Sequence, residues 1–192
     1  MEENLIEIET ANSMGRAEFI NLMRQFFNSP NYTLSFIDEV ENRRPFLNNL
    51  ELYLEIITQL KRLPYRSQLE ILKNQDELGS SKREEENEYA KIEHSSSGLS
   101  NLSDEHYYRF KYLNMAYRYK FGFNFLCVVA GLNSDQILSI FENRISNSPD
   151  IEFSIAMFQL EKLTFLRIKK RFYFSELAED YFPQYKFNKM VS

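Results

Sequence analysis

Apolar residues recur along this chain at helical spacing, and sustained two-residue alternation is missing. Phe19, Leu22, Met23 and Phe26 share one face of a predicted helix from Arg16 to Asn28. Ser29-Pro30 ends it, because proline cannot continue a helix and restricts the residue before it. A short helix is predicted from about Leu34 to Glu41, then a turn at Asn42-Arg43-Arg44-Pro45-Phe46. Leu50, Leu52, Leu54, Ile57 and Leu60 give the next helix, about Asn49 to Leu63, a broad apolar face. Pro64 opens another at its first turn, where a missing N–H costs nothing. Leu69, Ile71 and Leu72 carry that helix to Gly79-Ser80-Ser81. Lys82 to Glu93 is mostly charged and reads as a solvated helix face. After the break at Ser95-Ser96-Ser97-Gly98, Ser103 caps a long helix with Asp104 and Glu105 in its first turn, ending in the aromatic run Tyr119 to Phe125. Asn133-Ser134 starts the next, bearing Ile137, Leu138, Ile140 and Phe141. Ser148-Pro149-Asp150 opens the last, which passes Leu160 and Leu163 and closes near the basic run Lys169-Lys170-Arg171.

This pattern predicts an all-α, single-domain helical bundle of about eight helices over residues 16–175. A flexible N-terminal extension (1–15) and a C-terminal tail (176–192) flank it. Composition agrees: in 192 residues there are 5 Gly and 5 Pro, few for a β-domain that must turn often, and 17 Phe with 12 Tyr to fill a core. Net charge is −5, which argues against a surface that tracks nucleic-acid phosphates. The basic-aromatic stretch Arg167 to Tyr173 therefore reads as a helix end. The longest apolar stretch, Phe121 to Leu132, is too short to span a bilayer, so no membrane partner is expected. The acidic start MEENLIEIET is unlike a secretory signal, and the single Cys127 permits no internal disulfide, so a cytoplasmic location is expected. Cys127 itself lies in Phe125-Leu126-Cys127-Val128-Val129 and reads as an inert core thiol.

Familiar chemical signatures are missing: no phosphate-cradling glycine loop, no His-Glu-x-x-His, no Cys-x-x-Cys and no nucleophile elbow. The two histidines, His94 and His106, fit no common metal-ligand spacing, so no metal site is expected. Composition and spacing alone leave the function open.

One stretch says more. Leu113 to Phe125, LNMAYRYKFGFNF, resembles the Leu-Asn-x-Ala-Tyr-x-x-Lys-Phe-Gly-Phe-Pro-Phe block of the OHCU decarboxylases, which act on 2-oxo-4-hydroxy-4-carboxy-5-ureidoimidazoline in urate degradation. Gly98-Leu99 with Leu102-Ser103 is similar to the Gly-Leu-x-x-Leu-Ser before that helix. Asn28-Ser29-Pro30, Arg44-Pro45-Phe46 and Leu166-Arg167-Ile168 resemble the family's His-Ser-Pro, Arg-Pro-Phe and Leu-Arg-Leu, in the same order. The resemblance covers about residues 16–172. It implies a helical bundle, a homodimer, no metal or organic cofactor, and a small-molecule substrate (ureidoimidazoline or allantoin-like) decarboxylated to (S)-allantoin. Such chemistry needs an oxyanion-stabilising site and one proton delivered to one face.

The resemblance also assigns roles. Arg167 matches the arginine that supplies positive charge, and a guanidinium suits a carboxylate or ureido group. Glu93 matches a glutamate that assists the acid/base. Phe125, Leu126, Cys127, Val128 and Val129 match the strip whose backbone grips the ring, with Asn124 where the family has proline. The departure that matters is at the family's catalytic His-Pro-Asp-Leu. Gln75 stands at the histidine, Asp76 at the proline and Glu77 at the aspartate, and an amide cannot transfer protons near neutral pH. Ala90 replaces a serine, and His94 stands where a glutamine would follow Glu93, so histidine and glutamine are exchanged between two positions of one family pocket. Three readings follow: a working decarboxylase whose acid/base is His94 steered by Glu93; a lapsed homologue that binds a small cyclic ureide; or a helical interaction module.

Overall fold

The computed structural model describes residues 5–27, 35–79, 99 and 102–174. Among them lie eight α-helices and no strand, with one isolated parallel bridge between Ile6 and Phe172. The chain divides into two compact units, Met1–Gln68 with Glu161–Lys186 and Leu69–Leu160 with Phe187–Ser192.

In the first unit, α1 (Ile8–Ser13) occupies part of the segment expected to be a flexible extension. The Arg44 guanidinium donates to the carbonyls of Ala11, Asn12 and Met14 at 3.2, 3.3 and 2.7 Å, satisfying groups that a helix C-terminus leaves open. Helix α2 (Arg16–Gln25) stops short of the expected Asn28, because the Phe26 and Phe27 amides turn to carbonyls three residues back and tighten the last turn. Helix α3 (Ser35–Glu41) packs on α2 and on α4 (Asn49–Arg62). Arg16 reaches Asp38 and Glu41, each at 2.7 Å. The buried face of α4 is Leu52, Tyr53, Ile56, Ile57 and Leu60, rotated from the expected one, so that Leu54 is exposed. Phe27 meets Phe36 edge-on with centroids 5.1 Å apart, and Tyr53 meets Phe165 in the same way at 5.2 Å.

Helix α5 (Tyr65–Lys73) ends six residues before the expected Gly79. The side-chain amides of Asn74 and Gln75 donate to the Glu70 and Ile71 carbonyls at 2.7 and 3.1 Å, doing from the side chain what the next backbone N–H groups would do.

In the second unit, α6 (Asp104–Phe121) begins at Ser103, whose hydroxyl accepts from the His106 amide, and ends where Gly122 takes φ +77°. Helix α7 (Ser134–Arg144) starts with a reciprocal capping box between Asn133 and Gln136. Helix α8 (Pro149–Arg171) spans the point where the units divide. The core of this unit is aromatic. Tyr117 lies with its centroid 4.5 to 5.7 Å from those of Phe121, Phe123, Phe125 and Phe141, and Phe125 stacks on Phe141 at 3.8 Å. No described helix is long and apolar enough to cross a membrane.

Candidate active site

The turn after α5 and the extended strip after α6 are tied together. Gln75 is buried, while Asp76 and Glu77 are half-buried beside it. Glu77 pairs with Arg118 on α6. The half-buried Asn124 donates from Nδ2 to the Gln75 carbonyl at 2.6 Å and to the Lys73 carbonyl at 3.2 Å. Asn114, buried on α6, donates to the Leu78 carbonyl at 2.8 Å and fixes the far end of the same turn.

The strip itself, Phe125 to Val129, is buried throughout. Arg144 donates to the Leu126 carbonyl at 2.7 Å and lies over the Phe125 ring, 4.5 Å from its centroid. The Val128 amide donates to Gln159 at 2.9 Å, so within the protein that amide is already engaged. The Cys127 thiol is buried and donates to the Val128 carbonyl at 3.6 Å.

Behind the strip lies a buried polar cluster that sequence reasoning missed. Arg144 donates through Nε and Nη2 to the Glu152 carboxylate at 2.9 and 2.6 Å, the Tyr117 hydroxyl donates to the same oxygen, and Asn147 donates to the other at 2.7 Å. Glu152 is fully buried. Burial pushes the Tyr117 phenol far above its ordinary value, and the bond to Glu152 adds to the effect. A signal was present in the sequence: Arg144 continues the apolar row Ile137, Phe141, and Glu152 the row Ala156, Leu160, Leu163. A charge on the apolar row of a helix is buried and needs a partner.

Arg167 belongs to the first unit. It is buried rather than on the surface, and donates to the Phe26 carbonyl at 3.1 Å. Ala90, Glu93 and His94 lie outside the described residues, as do the charged run Lys82 to Glu93 and Asn28-Ser29-Pro30. The second histidine, His106, sits between Ser134 (3.2 Å from Nδ1) and Asp135 (3.0 Å from Nε2) at the start of α7. No cluster of three or more metal-ligating side chains occurs among the described residues.

A family model described as OHCU decarboxylase matches residues 12–169. The chain belongs to the OHCU decarboxylase family. A family member from Haloferax volcanii, 2-oxo-4-hydroxy-4-carboxy-5-ureidoimidazoline decarboxylase, is 30% identical over 135 residues, which are 70% of this chain and 79% of that protein. The uric acid degradation bifunctional protein of Bacillus sp. (strain TB-90) is 23% identical over 168 residues, 88% of this chain, which spans only 32% of that longer protein. Among solved structures, the fold of this OHCU decarboxylase family chain is similar to an (S)-allantoin synthase (TM-score 0.69, 17% identity, 88% of this chain and 54% of that one). It is also similar to an OHCU decarboxylase crystallised in the presence of (S)-allantoin (TM-score 0.60, 21% identity, 71% and 89%).

Proposed function

We propose that this chain decarboxylates OHCU to (S)-allantoin in urate degradation, without a cofactor, in the cytoplasm. The observation that carries the reading is the join between the Gln75 turn and the Phe125–Val129 strip. Two positions that the family devotes to its substrate are held together here by a short hydrogen bond from Asn124 to Gln75, in a chain that the family model matches over residues 12–169. In the proposed reaction the C–CO₂ bond breaks, its electron pair passes to the ring as an enolate-like oxyanion, and one proton returns to one face of the carbanionic carbon. His94, steered by Glu93, supplies that proton. Arg167 provides positive charge for the substrate, and Asp76, Ala90 and the strip shape the ring's place. Gln75 hydrogen-bonds the ring and transfers no proton.

One observation favours a second reading, a lapsed site that still binds a cyclic ureide: the Gln75 side chain donates into its own helix at Ile71. Freshly made OHCU decays on its own to racemic allantoin, so enantiomeric excess followed by circular dichroism separates the two. The enzyme reading expects an excess of the (S) form that His94→Ala abolishes and Gln75→Ala reduces far less. No excess over buffer overturns it, and a rise in melting temperature with allantoin in that case supports the binding reading. A bare interaction module would show neither.

We also infer that two copies pair through α6. Tyr108, Tyr112, Met115 and Tyr119 form one exposed stripe along it, with acids at its start and Arg118 and Lys120 at its end. No nucleic-acid or membrane partner is assigned to a chain of net charge −5.

A further inference from the structure

The chain departs from its family's motif at Gln75-Asp76, where the family has His-Pro, and at Asn124, where it has proline. These departures touch. The Asn124 side chain donates to the Gln75 carbonyl at 2.6 Å and to the Lys73 carbonyl at 3.2 Å, across 49 and 51 residues of sequence. A proline at position 124 has no N–H to give and could make neither bond.

The receiving segment lies just past the end of a helix. Helix α5 has already ended at Lys73, so the Lys73 carbonyl belongs to the group of terminal carbonyls with no partner inside the helix. Gln75 is buried, and its backbone amide donates to the Leu72 carbonyl at 3.3 Å. Between Lys73 and Leu78, where Asn114 takes over, Asn124 and the Glu77–Arg118 pair tie the turn to α6 and the strip that follows it. Asn124 is itself rigidly based. It lies between Phe123 and Phe125, both buried in the aromatic cluster around Tyr117.

We propose that Asn124 is the positioning residue of the candidate site: its amide sets the Gln75 turn at a fixed place against the Phe125–Val129 strip. It acts through Gln75 rather than on the substrate. The proposal rests on the decarboxylase reading for its catalytic consequence, but the clamp itself is a property of the free protein.

The test uses Asn124→Asp in the full chain, because it keeps the shape of the side chain and removes both donors. Hydrogen exchange of the peptide amides from Asn74 to Gly79 is expected to rise about tenfold, while exchange in α7 stays as in the parent protein. In the allantoin assay KM is expected to rise about tenfold with the enantiomeric excess retained, since proton delivery is left to His94. In a Gln75→Ala background the same substitution is expected to add nothing further to KM, because a positioning residue acts only through the group it positions. Exchange in the turn unchanged by Asn124→Asp overturns the clamp. A KM effect that multiplies in full on top of Gln75→Ala, or a loss of exchange protection spread over α7 as well, assigns Asn124 a general structural role and also overturns it. A parent protein that gives no enantiomeric excess counts against the decarboxylase reading alone, and the exchange measurement still decides the clamp. If Asn124→Asp does not fold, Asn124→Ser, which keeps a single donor, is expected to give the same changes at reduced size.

Discussion

Arg144 joins three features that a sequence shows only separately: it neutralises a fully buried Glu152, covers the Phe125 ring and holds the Leu126 carbonyl. A buried pair broken on one side leaves a charge without water or partner. Arg144→Met is therefore expected to cost about 3–5 kcal/mol in urea unfolding, and adding Glu152→Gln should recover a large part of it. A loss under 1 kcal/mol, on the order of a surface pair, would contradict this account of the cluster. Tyr117 extends the argument to pH. Burial first, and then its bond to Glu152, raise its pKa in the folded chain above the ordinary tyrosine value of about 10. Below that pH both folded and unfolded chains keep the proton and the full stability is present. As pH rises above about 10 the unfolded chain releases its proton while the folded one retains it, so stability falls. Tyr117→Phe should lower stability at neutral pH by about 1–3 kcal/mol for the orphaned carboxylate bond, and make the decline above pH 10 shallower than in the parent. An unchanged alkaline decline would show that Tyr117 does not contribute to it.

At the scale of elements, the turn after α5 is set by glycine as well as by Asn124. Gly79 has φ +70°, and a Cβ there would lie 2.7 Å from Cγ of Phe110, whereas Gly122 has φ +77° with nothing within 4 Å. Gly122→Ala should thus cost only the left-handed backbone penalty, about 1–2 kcal/mol. Gly79→Ala adds a clash with a buried ring and should cost distinctly more; equal midpoints in thermal unfolding would contradict the difference. These elements also show what the sequence could reveal. Caps were legible where the signal is local: Ser103, Asn133 and Pro149 all start helices where expected. The ends of α2 and α5 were not, since apolar spacing continues past the point where Phe26–Phe27 and Asn74–Gln75 redirect their hydrogen bonds. Helix α1 escaped notice because part of what stabilises it, Arg44, lies 30 residues and more away. The family motif singles out the strip and Gln75 in the sequence, and in the fold both are buried. For the cluster of Tyr117, Arg144 and Glu152 the apolar rows mark the two charges as buried, but only the folded chain shows that they pair with each other and with Tyr117.

For the whole molecule, the exposed stripe on α6 is where the proposed pairing is tested. Tyr108, Tyr112, Met115 and Tyr119 are 60 to 94% exposed and follow one another at four-, three- and four-residue steps, which places all of them on one face. Such an apolar row on a helix whose other exposed residues are charged suits a self-pairing surface. A two-fold axis between Tyr112 and Met115 would run two copies antiparallel, so that Asp104 and Glu105 of each stand near Arg118 and Lys120 of the other. A parallel pair would instead set the acids beside their own copies. Charge exchange distinguishes the two. Glu105→Lys should weaken self-association by about tenfold in sedimentation equilibrium, and Lys120→Glu added to it should restore the affinity, because the exchanged ends again carry opposite signs. In a parallel pair the single Glu105→Lys change places it close to an unchanged Asp104 and should not weaken association. Tyr112→Glu with Met115→Glu should give a monomer in either orientation, since it buries like charges at the centre of the row. Persistence of a dimer in that variant would assign the pairing to another face, and would leave the stripe on α6 without the partner argued for it.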